Sequence, residues 1–234
     1  MRAPRMRVGV YGDSHISSLP DLLSSVGHDV SHMDYDPVPP AFEDLDLIVL
    51  EVRAPLLAPA IERLAERARR GQIFIHTSLQ QGVFVMDPLE VTGAVVVALG
   101  ELSPTRWAVT TVDELGETIA ELLLGELGAS AVPCPDEERV RLAAAVTYVD
   151  AVRTLGGDAV RMLGDVVGDL QEAEDIAARR GGLRRLPDVA SLRAQWQSIE
   201  DPGQARAFRQ VLRRVAENQH NQDAELWAIQ EEKL

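Results

Sequence analysis

Cysteine and lysine are nearly absent from this chain of 234 residues, and each scarcity excludes a class of chemistry. Cys134 is the only cysteine, so the chain can form neither an internal disulfide nor an iron–sulfur or zinc site built from several thiolates. Its apolar neighbours predict a packed thiol. Lys233 is the only lysine, so a mechanism with an internal lysine is excluded unless the C-terminal residues fold back to the site.

Long apolar runs and an excess of basic residues are also missing. No apolar run reaches the roughly 18 to 20 residues that span a bilayer, and the first residues lack the apolar core of a signal peptide. We therefore expect a cytoplasmic protein without membrane contact. The formal charge is −14, and acidic residues outnumber basic ones in residues 1–134 and in residues 135–234. Neither part has the basic excess that nucleic acid binding requires.

The hydrophobic residues, 46% of the chain, follow two different patterns. Up to residue 134, strand and helix patterns alternate, which is typical of a parallel sheet with crossover helices. The predicted strands are 6–11, 28–33, 46–52, 72–76, 93–98, 107–111 and 129–133, and the predicted helices are 16–26, 56–69 and 112–124, the last with Asp113 near its start. Beyond residue 134 only helical patterns remain, at 136–155, 157–178, 188–198 and 202–230, with a break expected at Gly156-Gly157. The sequence thus predicts an α/β domain over 1–134 and an all-helical domain over 135–234.

The segment from Arg7 to Ser17 predicts a strand that turns at a glycine into a helix, where a dinucleotide-binding fold holds phosphate. Of the three glycines in the G-x-G-x-x-G pattern only Gly12 is present, and Ser14 and Ser17 take the other two places. Serine is small enough for close helix packing at Ser17. The side chain of Ser14 points where a pyrophosphate would lie, so a nucleotide must shift or be absent.

Four segments, in their order, resemble the 6-phosphogluconate dehydrogenase superfamily, which includes pyrroline-5-carboxylate reductase and a group of bacterial Rossmann-like oxidoreductases. They are Val8–Gly12, Gly27–Val30, Leu45–Val52 and Ile75–Ser78. The resemblance implies a Rossmann-like, mostly parallel sheet domain, a helical domain for substrate binding or dimerisation, and NAD or NADP as cofactor. The chain departs from the family at the second and third glycines, at Leu79, and at Gly100-Glu101, where relatives tend to carry His-Pro. The resemblance therefore implies the fold better than it implies turnover.

Ligands of parallel sheets bind beyond the carboxyl ends of the strands. The candidate cofactor-binding residues there are Gly9, Gly12, Asp13, Ser14, His15, Ile16, Asp34, Val52 and Arg53. Asp34 follows the second strand, where a carboxylate binds an adenosine ribose and repels a 2′-phosphate, which would favour NAD over NADP. The alternative is that Asp34 is a solvated residue of a Pro-rich loop. His15 could contact an anion or could simply start the helix.

The candidate catalytic residues are His76, Ser78 and Glu101. His76 follows three apolar residues, so a strand would deliver its imidazole to the edge of the cleft, where it could transfer a proton to or from a carbonyl or alcohol. The alternative is that His76 caps the strand by bonding local backbone. Ser78 could hold the substrate oxygen, and Glu101 is a further polar candidate.

Two functions remain open from the sequence. The first is an NAD(P)-dependent oxidoreductase that acts on a small metabolite by hydride transfer, with His76 as the proton-transfer group. The second is a non-catalytic Rossmann-fold protein that binds a ligand or regulates, and the altered glycines, the lack of an internal lysine and the missing His-Pro favour it. Both predict a small-molecule ligand, no metal site and a homodimer formed through the helical domain.

Overall fold

The computed structural model describes residues 5–12, 16–33 and 40–230. The chain divides into two compact units, residues 1–148 (unit 1) and residues 149–234 (unit 2). All described strands lie in unit 1. Unit 1 extends beyond residue 134 because Asp136 and Arg139 bond to its backbone, as shown below.

Unit 1 is built on one sheet of seven strands. They are β1 (Arg7–Tyr11), β2 (Asp29–Met33), β3 (Leu47–Leu50), β4 (Ile73–His76), β5 (Val95–Ser103), β6 (Arg106–Thr111) and β7 (Ser130–Pro133), in the spatial order β2-β1-β3-β4-β5-β6-β7. All neighbouring strands are parallel except β5 and β6, which are antiparallel because a short turn joins them. The predicted mostly parallel sheet is confirmed, and β2 and β7 lie at its two edges.

The helices of unit 1 begin and end where local chemistry favours it. They are α1 (Leu19–Val26), α2 (Ala54–Ala65), the short α3 (Asp87–Glu90) and α4 (Glu114–Glu126). The Asp113 carboxylate accepts a hydrogen bond from the Gly116 N–H and caps α4, as the sequence indicated. α1 ends at Gly27, whose φ of 101° is a left-handed conformation that favours glycine. It starts at residue 19 rather than at the predicted residue 16.

The core of unit 1 lies on both faces of the sheet. In β3 all four residues are buried, because alternate side chains face opposite layers. Ile48 and Leu50 pack with α2 and with Phe42 and Phe74 on one face. On the other face, Leu47 and Val49 join the cluster of α1 and α4 that contains Trp107. Cys134 is a buried free thiol, as predicted, and burial raises its pKa.

Five further helices follow, all or mostly in unit 2: α5 (Arg139–Val167), α6 (Leu170–Arg179), α7 (Val189–Gln197), α8 (Pro202–Asn218) and α9 (Gln222–Gln230). The predicted break at Gly156-Gly157 is wrong, since α5 continues through both glycines. An interior glycine costs a helix only about 1 kcal/mol relative to alanine, which a helix of this length tolerates.

The predicted helix 202–230 is instead two helices. His220 adopts a φ of 53°, a left-handed conformation that ends the first helix, and the Asn221 side chain then accepts from the Ala224 N–H at the start of the second. Trp196, Phe208 and Trp227 pack in the apolar cluster of these helices. Within the described ranges, no helix is both long and apolar enough to cross a membrane.

Candidate functional site

The carboxyl ends of the parallel strands form one edge of the sheet, which we call the carboxyl edge. Directly after β1, the chain turns at Gly12 and passes close to the backbone of Glu51. Gly12 has a φ of 124°, and a Cβ atom there would overlap the Glu51 carbonyl oxygen and lie 2.8 Å from the Val52 Cγ1. A Cβ atom on Gly9 would lie 2.5 Å from the Leu45 Cδ1. Gly12 is therefore required, because its φ and the close Glu51 backbone both exclude a side chain, whereas a side chain at Gly9 would displace the ends of Leu45 and Met33. Val52 is buried beneath the turn.

The first polar group at this edge is the buried side chain of Glu51, directly after β3. Its Oε2 accepts hydrogen bonds from the Ile16 N–H at 2.6 Å and the Ser17 N–H at 3.1 Å, and its Oε1 accepts from the Ser17 hydroxyl at 2.6 Å. Only 2% of Glu51 is exposed to solvent. The carboxylate thus lies just before α1, where the partial positive charge of the helix favours an anion.

A second carboxylate, that of Glu101, accepts from the next backbone N–H group along the chain. The Oε2 atom of Glu101, a β5 residue, accepts from the Ser18 N–H at 2.8 Å. Three consecutive backbone N–H groups, at residues 16 to 18, therefore donate to carboxylates. α1 begins at Leu19, whose N–H donates to the Ser17 hydroxyl at 3.3 Å, and the Leu22 N–H donates to the Ser18 carbonyl at 3.0 Å.

A nicotinamide dinucleotide, the cofactor that the resemblance implies, would find the N–H groups of Ile16, Ser17 and Ser18 already occupied. Its pyrophosphate binds N–H groups at the start of the first helix, and those of Ile16, Ser17 and Ser18 already donate to Glu51 and Glu101. A pyrophosphate placed there would also lie against two carboxylates. Four of the predicted cofactor residues, Asp13, Ser14, His15 and Asp34, lie outside the described residues. The structure places Ile16 at the Glu51 carboxylate and exposed Arg53 just before α2.

His76 lies at the end of β4 and is fully buried. Its Nε2 is 2.9 Å from the Gly82 carbonyl oxygen, which only accepts hydrogen bonds, so Nε2 carries the proton. Its Nδ1 has no hydrogen-bond partner among the described residues. Burial, and secondarily the charge of Arg139, lower the pKa of His76 from 6.5 to about 4, so the imidazole is neutral at neutral pH.

Ser78 is also buried, and both of its oxygens bond within unit 1. The Ser78 hydroxyl accepts from the Gln81 N–H at 3.4 Å, and the Ser78 carbonyl accepts from the Arg139 Nη1 at 3.2 Å. Ser78 and the Gly82 carbonyl therefore belong to one turn that follows β4, and the His76 side chain at the end of β4 bonds to that turn.

Arg139, the first residue of α5, holds this turn to the sheet. Its guanidinium is fully buried and donates to the carbonyls of Ala98 and Ala108 at 2.6 and 3.2 Å, and its Nε donates to the Thr110 hydroxyl at 2.8 Å. Nearby, the Asp136 carboxylate accepts from the N–H groups of Val83 and Phe84.

Sequence reasoning did not single out Arg139, because nothing in a helical pattern marks a buried arginine. Glu51 had a usable signal, since it is a charged residue directly after four buried apolar ones. Across residues 5–12, 16–33 and 40–230, no three His, Cys, Asp or Glu side chains form a group that could hold a metal ion.

Comparison with known proteins connects this geometry to a family. Residues 1–101 match the family model of a Rossmann-like domain, and residues 135–231 match that of a 6-phosphogluconate dehydrogenase C-terminal domain-like region. No curated protein matches the sequence.

Several solved structures share the fold over almost the whole chain. A Bacteroides fragilis protein provisionally assigned as an NADP oxidoreductase is 9% identical, with a TM-score of 0.68 over 91% of this chain and 98% of that one. The NADP-bound pyrroline carboxylate reductase of Plasmodium falciparum is 10% identical, with a TM-score of 0.58 over 95% and 94%. The pyrroline-5-carboxylate reductase of Coxiella burnetii is 13% identical, with a TM-score of 0.57 over 97% of each chain. At these identities the likeness shows the fold.

Proposed function

We propose that this chain, which matches a Rossmann-like domain and a 6-phosphogluconate dehydrogenase C-terminal domain-like region, is an oxidoreductase-like protein that binds a small-molecule ligand at the carboxyl edge without transferring hydride. This is the non-catalytic alternative of the sequence analysis. The ligand site in this proposal is the edge itself, since open α/β sheets bind ligands beyond their strand ends.

One observation carries the proposal: each side chain assigned to catalysis from the sequence bonds to the main chain of a neighbouring segment. His76 donates to the Gly82 carbonyl, Ser78 accepts from the Gln81 N–H, and Glu101 accepts from the Ser18 N–H. Groups that hold the backbone in this way are constrained by the fold, and among these three side chains only the His76 Nδ1 is a buried polar atom without a partner in the described residues.

The state of His76 adds to this support. A proton donor for reduction must carry a proton that it can release to substrate, and the one N–H of the neutral His76 ring is already bonded to Gly82. With a pKa of about 4, the ring is not protonated a second time at neutral pH. Lys233, the only lysine, lies outside the described residues.

The test is a turnover assay of the purified wild-type chain with NADH and NADPH. We expect no oxidation of either cofactor above background with small keto acids, imines and aldehydes, and none in the reverse direction with NAD or NADP and the matching alcohols and amines. A well-folded thermal transition of the same sample is the control for integrity. Saturable, substrate-dependent oxidation of NADH or NADPH would overturn the proposal.

The second candidate function is NAD(P)-dependent hydride transfer to or from a small metabolite, and the NADP-bound Plasmodium structure of the same fold favours it. In that case the nicotinamide supplies the hydride, and His76 takes part either through its Nδ1, which has no partner in the described part of the chain, or by releasing its bond to Gly82. His76→Gln would then abolish turnover, while turnover would be unchanged in His220→Asn, a variant of an exposed turn. A preference for NADH would implicate Asp34, and a preference for NADPH would exclude that role.

We also propose that the chain forms a homodimer through the helical domain, residues 135–234. The central part of α5 supports this, since its apolar side chains Tyr148, Val149 and Val152 are exposed by 63%, 47% and 49%. Exposed apolar side chains of this density favour association. Light scattering during gel filtration should give twice the chain mass for wild type and the single-chain mass for Val149→Glu, with the exposed variant Arg193→Glu as control. A monomeric wild type would contradict the proposal.

A further inference from the structure

We propose that Glu51 is a built-in substitute for the cofactor's phosphate and that its carboxylate excludes dinucleotides from this Rossmann domain. The inference rests on the proposed function only in taking the carboxyl edge as the ligand site. It concerns binding, whereas the proposed function concerns turnover, so the inference can fail while the proposed function stands.

The first support is the way in which the carboxylate is bonded. Both of its oxygens accept hydrogen bonds, and three donors of Ile16 and Ser17 lie 2.6 to 3.1 Å away. A phosphate group at a helix start is held by the same kind of donor, namely successive backbone N–H groups assisted by a hydroxyl. Glu51 therefore satisfies the donors that a bound phosphate would satisfy.

The second support is that the backbone of Glu51 is fixed at a point from which its side chain reaches the start of α1. Its N–H donates to the Tyr11 carbonyl at 2.9 Å, which ties it to the end of β1. The turn at Gly12 passes so close to its carbonyl that even a methyl group on Gly12 would overlap it. The side chain is buried rather than solvated, so displacing it would expose or orphan the N–H groups that it holds.

The third support is electrostatic. A dinucleotide would bring negative charge to a place that already holds two carboxylates. They are that of Glu51, at the N–H groups of Ile16 and Ser17, and that of Glu101, at the next N–H group. Like charges at contact distance in a partly buried site repel strongly because little water screens them. The chain's own anion thus both fills the site and repels a competing one.

The experiment measures binding of NADH, NADPH and inorganic pyrophosphate to wild type, Glu51→Ala, Glu51→Gln and the control Glu121→Gln. Nicotinamide fluorescence reports the dinucleotides, and the shift of the thermal transition reports all three. Glu121→Gln removes the same charge from an exposed position on α4, so it corrects for net charge. We expect wild type and Glu121→Gln to bind none of them at about 1 mM, and Glu51→Ala to bind with a Kd at least about tenfold lower than that.

Glu51→Gln keeps the inference testable if Glu51→Ala does not fold. Glutamine retains an oxygen that can accept from the N–H groups, but it removes the charge, so we expect weaker binding than in Glu51→Ala and still more than in Glu121→Gln.

Equal affinity of wild type and a folded Glu51 variant would overturn the inference, whether both bind or neither does. If wild type binds NADH as tightly as the variant and does not turn it over, the inference fails and the proposed function stands. If wild type turns NADH over, the proposed function fails as well.

Discussion

In the two halves of the carboxyl edge, side chains of opposite charge bond to the backbone groups. At the β1–β3 half, the backbone groups bonded by side chains are the N–H groups just before α1, which donate to the carboxylates of Glu51 and Glu101. At the β4–β6 half they are carbonyl oxygens of Ser78, Ala98 and Ala108, and the guanidinium of Arg139 donates to them. Each half uses the charge that its unpaired backbone groups require.

The two halves differ in whether a ligand could replace the charged side chain that bonds to the backbone. Once the Glu51 carboxylate is removed by substitution, another anion could take its place, because a helix start binds any anion of suitable size. No small ligand offers the planar set of N–H donors that Arg139 directs at several carbonyls, and the residue is completely buried. We therefore expect the Arg139 half to be structural and the Glu51 half to be the one that determines binding.

The largest expected effect comes from Arg139→Met, which keeps the side-chain volume and removes the donors. Three carbonyls and the Thr110 hydroxyl would lose a partner inside the protein. We expect the free energy of unfolding to fall by about 3 to 5 kcal/mol in urea denaturation followed by circular dichroism. Arg141→Met, two residues along the same helix and exposed, should change it by less than about 0.5 kcal/mol. Similar losses in both variants would remove the contrast between the halves.

The next effect is a pH dependence that belongs to His76. Its pKa is about 4 in the folded protein and 6.5 when unfolded, so the unfolded chain binds more protons between these values. The contribution of the neutral His76 to the free energy of unfolding is therefore fully present above pH 6.5. It decreases as the pH falls towards 4, by about 3 kcal/mol at most. His76→Gln, which can still donate to the Gly82 carbonyl, should remove this component from urea midpoints measured between pH 4 and 7.5. A His76→Gln curve parallel to that of wild type would show that His76 is not buried and neutral.

A smaller effect is expected from Asp136→Ala. The carboxylate caps the turn after Gly82 through the N–H groups of Val83 and Phe84, and its loss should cost about 1 to 2 kcal/mol of unfolding free energy. Glu137→Ala removes the same charge from an exposed neighbour and serves as the control. If the two substitutions cost the same, the hydrogen bonds to this turn contribute nothing measurable.

The smallest effect on stability should be that of Glu51→Gln, at about 1 kcal/mol, because the amide oxygen still accepts from an N–H group at the start of α1. This small loss, measured by the same denaturation, is what would distinguish a binding element from a structural one. A loss as large as that of Arg139→Met would place Glu51 among the groups that hold the sheet together.

Much of unit 1 could be predicted from the sequence. Runs such as Leu47–Leu50 are apolar at every position, which is the pattern of a strand covered on both faces, and Asp113 marks the start of α4. The helical region was predicted less well. Gly156-Gly157 did not end a helix, and His220 did, because a residue's conformation in a long helix also depends on the packing around it.

The candidate site could be located but not interpreted. The strand ends gave the places of Gly12, His76 and Glu101, yet not their partners. Glu51 is 35 residues from Ile16, and Arg139 is 61 from Ser78. These pairs meet only because β3 lies beside β1 and α5 begins over β4 and β5.

By itself the sequence determined the alternation of strands and helices, the mostly parallel sheet and the edge at which a ligand would bind, since periodicity and turn chemistry are local properties. Only the tertiary structure decided that the Glu51 carboxylate accepts from the N–H groups at the start of α1, that the His76 ring donates to the Gly82 carbonyl, and that Arg139 is buried. The physical reason is that buried backbone groups must find partners, and which side chain supplies them depends on distant segments brought together by the fold.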